Sequence, residues 1–104
     1  NNSADLCLFE GIFDLLSYRE MRKGDHYRED FMVLNSLANL QGFYSKINKY
    51  SRVKLFLDRD KAGKEAARKL LDSLPHCRDE SELFHPHKDL NEYWMSRENL
   101  GVKR

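Results

Sequence analysis

The sequence predicts an α/β fold: a three-layer α/β/α sandwich around a mainly parallel, four-stranded sheet. Three observations predict it. Short apolar runs bounded by turn residues alternate with segments of helical periodicity. Two of those runs end directly in acid, Leu6-Cys7-Leu8-Phe9 in Glu10-Gly11 and Val53 to Leu57 in Asp58-Arg59-Asp60. The length, 104 residues, suits one domain with a single modest core. Strand and helix in alternation imply a parallel sheet with helices on both faces and right-handed crossovers.

The elements follow in order. Leu6 to Phe9 is the first strand. Ile12 to about Lys23 is a Leu-rich helix whose last turns carry Arg and Lys, the sign that suits a helix C-terminus. Gly24 to Asp30 is polar and reads as a loop. Phe31 to Leu34 is the second strand, closed by Asn35-Ser36, which reads as turn chemistry. A second helix, near Asn39 to Tyr50, repeats Leu40, Phe43, Tyr44 and Ile47 at helical spacing as a core stripe. Val53 to Leu57 is the third strand.

Lys61 to Leu74 is the clearest helix. Ala62, Ala66, Ala67, Leu70, Leu71 and Leu74 fall on one half of the wheel, and Lys61, Lys64, Glu65, Arg68, Lys69 and Asp72 on the other. Pro75 stops it. A short fourth strand is expected between His76 and Phe84. A last helix starts near Asp89 and is expected to bury Leu90, Tyr93 and Trp94, ahead of a polar tail. The domain is therefore placed at residues 5–96 and the tail at 97–104. The chain lacks an initiator Met and enters its first strand almost at once, which reads as a piece cut from a larger protein.

Composition bounds the function. Apolar residues at 40% and charged residues at 34% describe a soluble globular domain. A net charge of +1 gives no blanket attraction to nucleic acid, so any basic surface must come from arrangement. No run is long enough to span a membrane and no signal peptide is present, so a cytoplasmic setting without membrane partners is expected. Cys7 and Cys77 then read as reduced thiols. The spacing of His76, Cys77, His85 and His87 fits no closed zinc site.

The acid-tipped strands carry the chemistry. In open α/β sheets ligands bind outside the carboxyl ends of the strands. If the first and third strands are neighbours, Glu10 faces Asp58 and Asp60 across roughly 5 Å. Carboxylates that close repel, and one takes up a proton unless a cation intervenes. Mg²⁺ prefers oxygen ligands and keeps several waters, so a few carboxylates hold it beside a phosphate. The competing reading of Asp60 is a helix N-cap. A calcium loop fails, because its fifth position is Ala62 and its twelfth Lys69.

These residues resemble a family. Glu10-Gly11-Ile12-Phe13-Asp14-Leu15-Leu16 is similar to the first signature of Toprim domains, the Rossmann-like metal-binding fold of bacterial primases, topoisomerases and some nucleases. Asp58-Arg59-Asp60-Lys61-Ala62-Gly63 is similar to the second. Lys88-Asp89-Leu90-Asn91-Glu92 resembles the acidic segment that follows the fourth strand in primase-type members. The closest flavour is the primase-like domain of plasmid and mobile-element replication or mobilisation proteins.

The resemblance implies roles and partners. Glu10 is the expected general acid/base and metal assistant. Asp58 and Asp60 are expected to bind Mg²⁺ or Mn²⁺, with Asp14 and Asp89 as further acids of the site. The implied chemistry is phosphoryl or nucleotidyl transfer, or phosphodiester cleavage, on DNA or RNA with nucleotides as substrates and other domains of the parent as partners. Lys61, Lys64, Arg68, Lys88 and Asn91 are the expected phosphate or nucleic-acid contacts. Asn91 departs from the primase pattern, which has a second Asp there, and so brings no charge. Two alternatives remain: a non-catalytic nucleic-acid or partner-binding module, and a receiver-type domain with Asp58 as phosphoacceptor and Lys88 beside it.

Overall fold

The computed structural model describes residues 4–25 and 28–102, with side chains through Arg97. Strand and helix alternate as β1 (Asp5–Phe9), α1 (Ile12–Met21), β2 (Asp30–Val33), a 3-10 turn (Leu37–Asn39) leading into α2 (Leu40–Ile47), and β3 (Arg52–Phe56). Then come α3 (Lys61–Ser73), β4 (Cys77–Asp79), a second 3-10 turn (Ser81–Phe84) and α4 (Leu90–Val102). The sheet order is β2-β1-β3-β4, and every pair is parallel. From β1 the chain crosses to β2 on one side; from β3 it crosses to β4 on the other. The gap between the carboxyl ends of β1 and β3 is therefore the switch point at which such sheets take ligands.

Period-two alternation divides the strands between two cores. Leu6 and Leu8 of β1, with Val53 and Leu55 of β3, point to the face covered by α2 and α3, where they meet Ile47, Ala66, Ala67 and Leu70. Cys7, Phe9 and Phe56 point to the opposite face and meet Tyr18 of α1, Phe84 and Leu90. There Phe9 stacks on Phe56 with centroids 5.1 Å apart, and Tyr18 tilts against Phe56 at 4.9 Å. The result is the three-layer sandwich that the sequence predicts.

Lys54 shares the second face, opposite Cys7 in the β1–β3 register. Its ammonium meets Glu29 at 2.8 Å, and the Tyr18 hydroxyl donates to the same carboxylate. Burial raises the pKa of Glu29, but the hydrogen bonds from Lys54 and Tyr18 outweigh it and hold the carboxyl below its ordinary value. Burial, reinforced by the Glu29 charge, pushes the Cys7 thiol up to about 12, and burial alone pushes Cys77 up to about 11. Both thiols are free and buried.

Several details differ from expectation. The second helix is shorter, because Ser36 caps a 3-10 turn through the Ala38 N–H and the chain turns again after Ile47. Its stripe is only partly core: Ile47 is fully buried, Leu40 and Phe43 half-buried, and Tyr44 exposed along a groove between α2 and α3. In α4, Leu90 is fully buried but Tyr93 and Trp94 are half-buried, because the helix packs on α1 at the rim of the sheet. The same helix continues past Ser96 to Val102; residues 103–104 of the expected tail lie outside the described residues.

Candidate metal centre

Parallel pairing of β1 and β3 sets their last residues, Phe9 and Phe56, side by side. The next residues enter the switch-point crevice. Glu10 leans across it, and its Oε1 accepts the backbone N–H of Asp58 at 3.1 Å. That bond fixes the two strand ends to each other at the point where both become acidic.

Asp58 enters the crevice half-buried, its side chain 14% exposed. Its Oδ1 is shielded from solvent and has no hydrogen-bond partner. A buried, unpaired carboxylate oxygen is expensive, so it either takes up a proton or faces a cation. Burial first, then the charges of Glu10, Asp14 and Asp89, push its pKa up to about 7, with Lys88 opposing.

Asp14 arrives from the first turn of α1 and is buried. Its Oδ1 accepts the backbone N–H of Asn91 at 3.0 Å, which ties α1 to the start of α4. Burial, with the charges of Asp89 and Glu10, pushes this carboxyl up to about 6 against hydrogen bonds from the Asn91 and Gly11 N–H groups. Asp89 precedes α4 and accepts the Glu92 N–H at 2.7 Å, while Glu92 reaches back to the Lys88 N–H at 2.9 Å. These two bonds fix the corner that carries Asp89.

Asp14, Asp58 and Asp89 thus come from α1, the loop after β3 and the loop before α4, and one carboxylate oxygen from each lies within 4.8 Å of the others. Hard oxygen donors at this spacing fit Mg²⁺ or Mn²⁺. The buried Asp58 Oδ1, with no hydrogen-bond partner, is a carboxylate oxygen whose burial such an ion would offset.

The other expected site residues are distributed around this group. Glu10 borders it through Asp58. Asp60 is the N-cap of α3, its Oδ1 accepting the Gly63 N–H at 2.8 Å, and it stands outside the three-aspartate group. Lys88 Nζ lies 4.0 Å from Asp58 Oδ2 and 3.9 Å from Asp60 Oδ2, at the mouth of the crevice. Lys61 and Lys64 are exposed on the first turns of α3. Arg68 is turned along its own helix, paired with Glu65 and Asp72. Asn91 holds structure: its Oδ1 accepts from Ser17 Oγ at 3.0 Å. Asn35 and Ser36 are exposed after β2; Asn35 has a φ of 67° and donates its N–H to the Glu10 carbonyl.

The structural roles of three supporting residues were not legible in the sequence. Arg59 donates its backbone N–H to the Lys88 carbonyl and its guanidinium to the Ser81 carbonyl, joining the Asp58 loop to the loop before α4. Ser17 lies one turn after Asp14, a spacing that could have flagged it. Gly63 lets α3 pass against Asp58: a Cβ there would lie 2.0 Å from the Asp58 carbonyl oxygen. The Asp-x-Asp-x-x-Gly spacing was its signal.

Comparison with known proteins agrees with this fold. The sequence matches the Toprim-like family over residues 7–94, and the chain belongs to that family. Its fold is similar to the primase fragment of the bacteriophage T7 primase-helicase, with a TM-score of 0.69 and 20% identity over 95% of this chain and 42% of that one. It is equally similar, at 0.69 and 20%, to a chain in a bacteriophage T7 complex of lagging-strand DNA polymerase with primase domains bound to an RNA/DNA hybrid and dTTP. That match covers 95% of this chain and 51% of the other. The chain thus spans about half, or less, of these structures. No curated protein sequence matches it. The family assignment leaves the receiver-type alternative without support. Among the described residues no helix is long and apolar enough to cross a membrane.

Proposed function

We propose that this domain is the Mg²⁺- or Mn²⁺-dependent catalytic domain of a primase-like replication or mobilisation protein, performing phosphoryl or nucleotidyl transfer, or phosphodiester cleavage, on nucleic acid. One observation carries the reading. Carboxylate oxygens of Asp14, Asp58 and Asp89, from three separate stretches of the chain, lie within 4.8 Å of one another at the sheet's switch point, and Asp58 also carries a buried oxygen with no hydrogen-bond partner. Asp14, Asp58 and Asp89 would hold the ion, with Asp60 at the rim. When bound, a divalent cation there neutralises charge on the phosphate oxygens of the substrate.

The chain's own groups supply the rest. Glu10, joined to Asp58 across the strand ends, would hold or move a proton beside the ion. Lys61 and Lys64, exposed at the start of α3, are placed to meet the phosphates of a strand or a nucleotide. A cytoplasmic setting suits two free, buried thiols.

The test uses the parent protein, assayed for primer synthesis on single-stranded DNA and for DNA cleavage. Glu10→Gln is expected to lower product formation about 100-fold or more while metal binding persists. Wild-type turnover in the variant would remove Glu10 from the chemistry.

A second reading, a non-catalytic binding module, is favoured by Asn91. It brings no charge, and its side-chain oxygen is engaged by Ser17. Nucleic-acid binding by the parent without any turnover in Mg²⁺ or Mn²⁺ would support this reading.

A further inference from the structure

We infer that Lys88 is an exchangeable counter-ion of the acid cluster: its ammonium balances Asp58 and Asp60 while no divalent cation is bound, and the cation displaces it toward the substrate phosphate. The inference rests on the metal-centre reading of the same site. Five carboxylates, those of Glu10, Asp14, Asp58, Asp60 and Asp89, border the crevice. Lys88 Nζ faces the Oδ2 atoms of Asp58 and Asp60 at 4.0 and 3.9 Å. These are ion-pair distances beyond direct hydrogen-bond range, so the ammonium is held by charge and not by a fixed bond.

The two ends of the residue behave differently. Its backbone is pinned, the carbonyl accepting the Arg59 N–H at 2.6 Å and the N–H donating to Glu92 Oε1 at 2.9 Å. Its side chain is 58% exposed on a flexible four-carbon stem. Rotation about that stem moves the charge while the backbone bonds of Lys88 stay in place. A divalent ion among the aspartates doubles the attraction that one ammonium offers them, and it repels the ammonium a few ångströms away. The freed ammonium stays at the mouth of the crevice, where a phosphate must enter.

Lys88 therefore opposes metal binding and favours phosphate binding, whereas a simple phosphate contact would do only the second. The experiment is calorimetric titration of the domain with Mn²⁺, wild type and variants at one pH and ionic strength. Lys88→Met is expected to bind Mn²⁺ about fivefold more tightly than wild type, with the gap narrowing as salt rises. Lys88→Arg, which keeps the charge, is expected to stay near wild type. In the same series the melting temperature of Lys88→Met without metal should fall and its gain on adding Mn²⁺ should grow. Unchanged or weaker Mn²⁺ binding by Lys88→Met beside a binding wild type overturns the counter-ion role and leaves the metal centre standing. Absence of binding by wild type and both variants overturns the metal centre itself.

Discussion

Gly63 sits so close to Asp58 that a single added carbon would lie 2.0 Å from the Asp58 carbonyl oxygen and 2.8 Å from its carbonyl carbon. The first turn of α3 is thereby pressed against the backbone that delivers the central carboxylate, and the Asp60 cap on the Gly63 N–H locks the contact.

Gly63→Ala is therefore expected to destabilise the fold by about 2–3 kcal/mol, because backbone cannot yield as a flexible side chain can. Moving α3 also moves Asp58 and Asp60, so Mn²⁺ affinity should fall with stability. Denaturant melts and a metal titration of the same variant check both effects. Wild-type stability would show that the close approach is relieved at no cost.

Asp58 and Asp14 set a pH dependence with a definite sign. Both carboxyls are raised in the folded state, to about 7 and about 6, above the ordinary carboxylate range. The native state thus binds more protons than the unfolded state between about pH 4 and pH 7, and stability from these groups falls as pH rises through that window. Metal binding runs the other way, tightening over the same range as protons leave. Thermal melts from pH 4.5 to 8 check this, with and without Mg²⁺. Asp58→Asn should flatten the metal-free slope and melt higher than wild type at pH 8, by about 1 kcal/mol after allowance for solvent screening.

Glu29 tests the support behind the site. Its side chain is 4% exposed, bonded to Lys54 at 2.8 Å and to the Tyr18 hydroxyl at 3.0 Å. Glu29→Ala leaves a partly buried ammonium unpaired and should cost about 2–3 kcal/mol in chemical denaturation. The Glu10–Asp58 strand ends lie elsewhere, so Mn²⁺ affinity of the folded variant should remain near wild type.

The sequence made the strands and the paired acids legible for a physical reason. Apolar runs buried on both faces are local signals, and an acid that follows one directly is placed by the strand it ends. Glu10 and Asp58 meet as expected because β1 and β3 are neighbours. The partners of Asp14 were less legible. The chain separates Asp14 from Asn91 by 77 residues, and only the packing of α1 on α4 brings them together. Motif resemblance pointed to Asp14 and Asp89, but periodicity could not. Asp60 carried two local readings, cap and ligand, and its structural position is the cap. Glu29 sat in a segment read only as a polar loop, since nothing local announces an ion pair with a residue 25 positions away.

If Asp14, Asp58 and Asp89 together hold a divalent cation, a bound Mn²⁺ sits among them. Paramagnetic broadening by Mn²⁺ in backbone amide spectra of the domain tests it most directly, because it reports place as well as binding. Substoichiometric Mn²⁺ is predicted to erase signals from residues 10–14, 57–60 and 88–91 and to spare the α2–α3 groove, with Asp58→Asn restoring them. Broadening centred elsewhere, or none at millimolar Mn²⁺, would contradict the account.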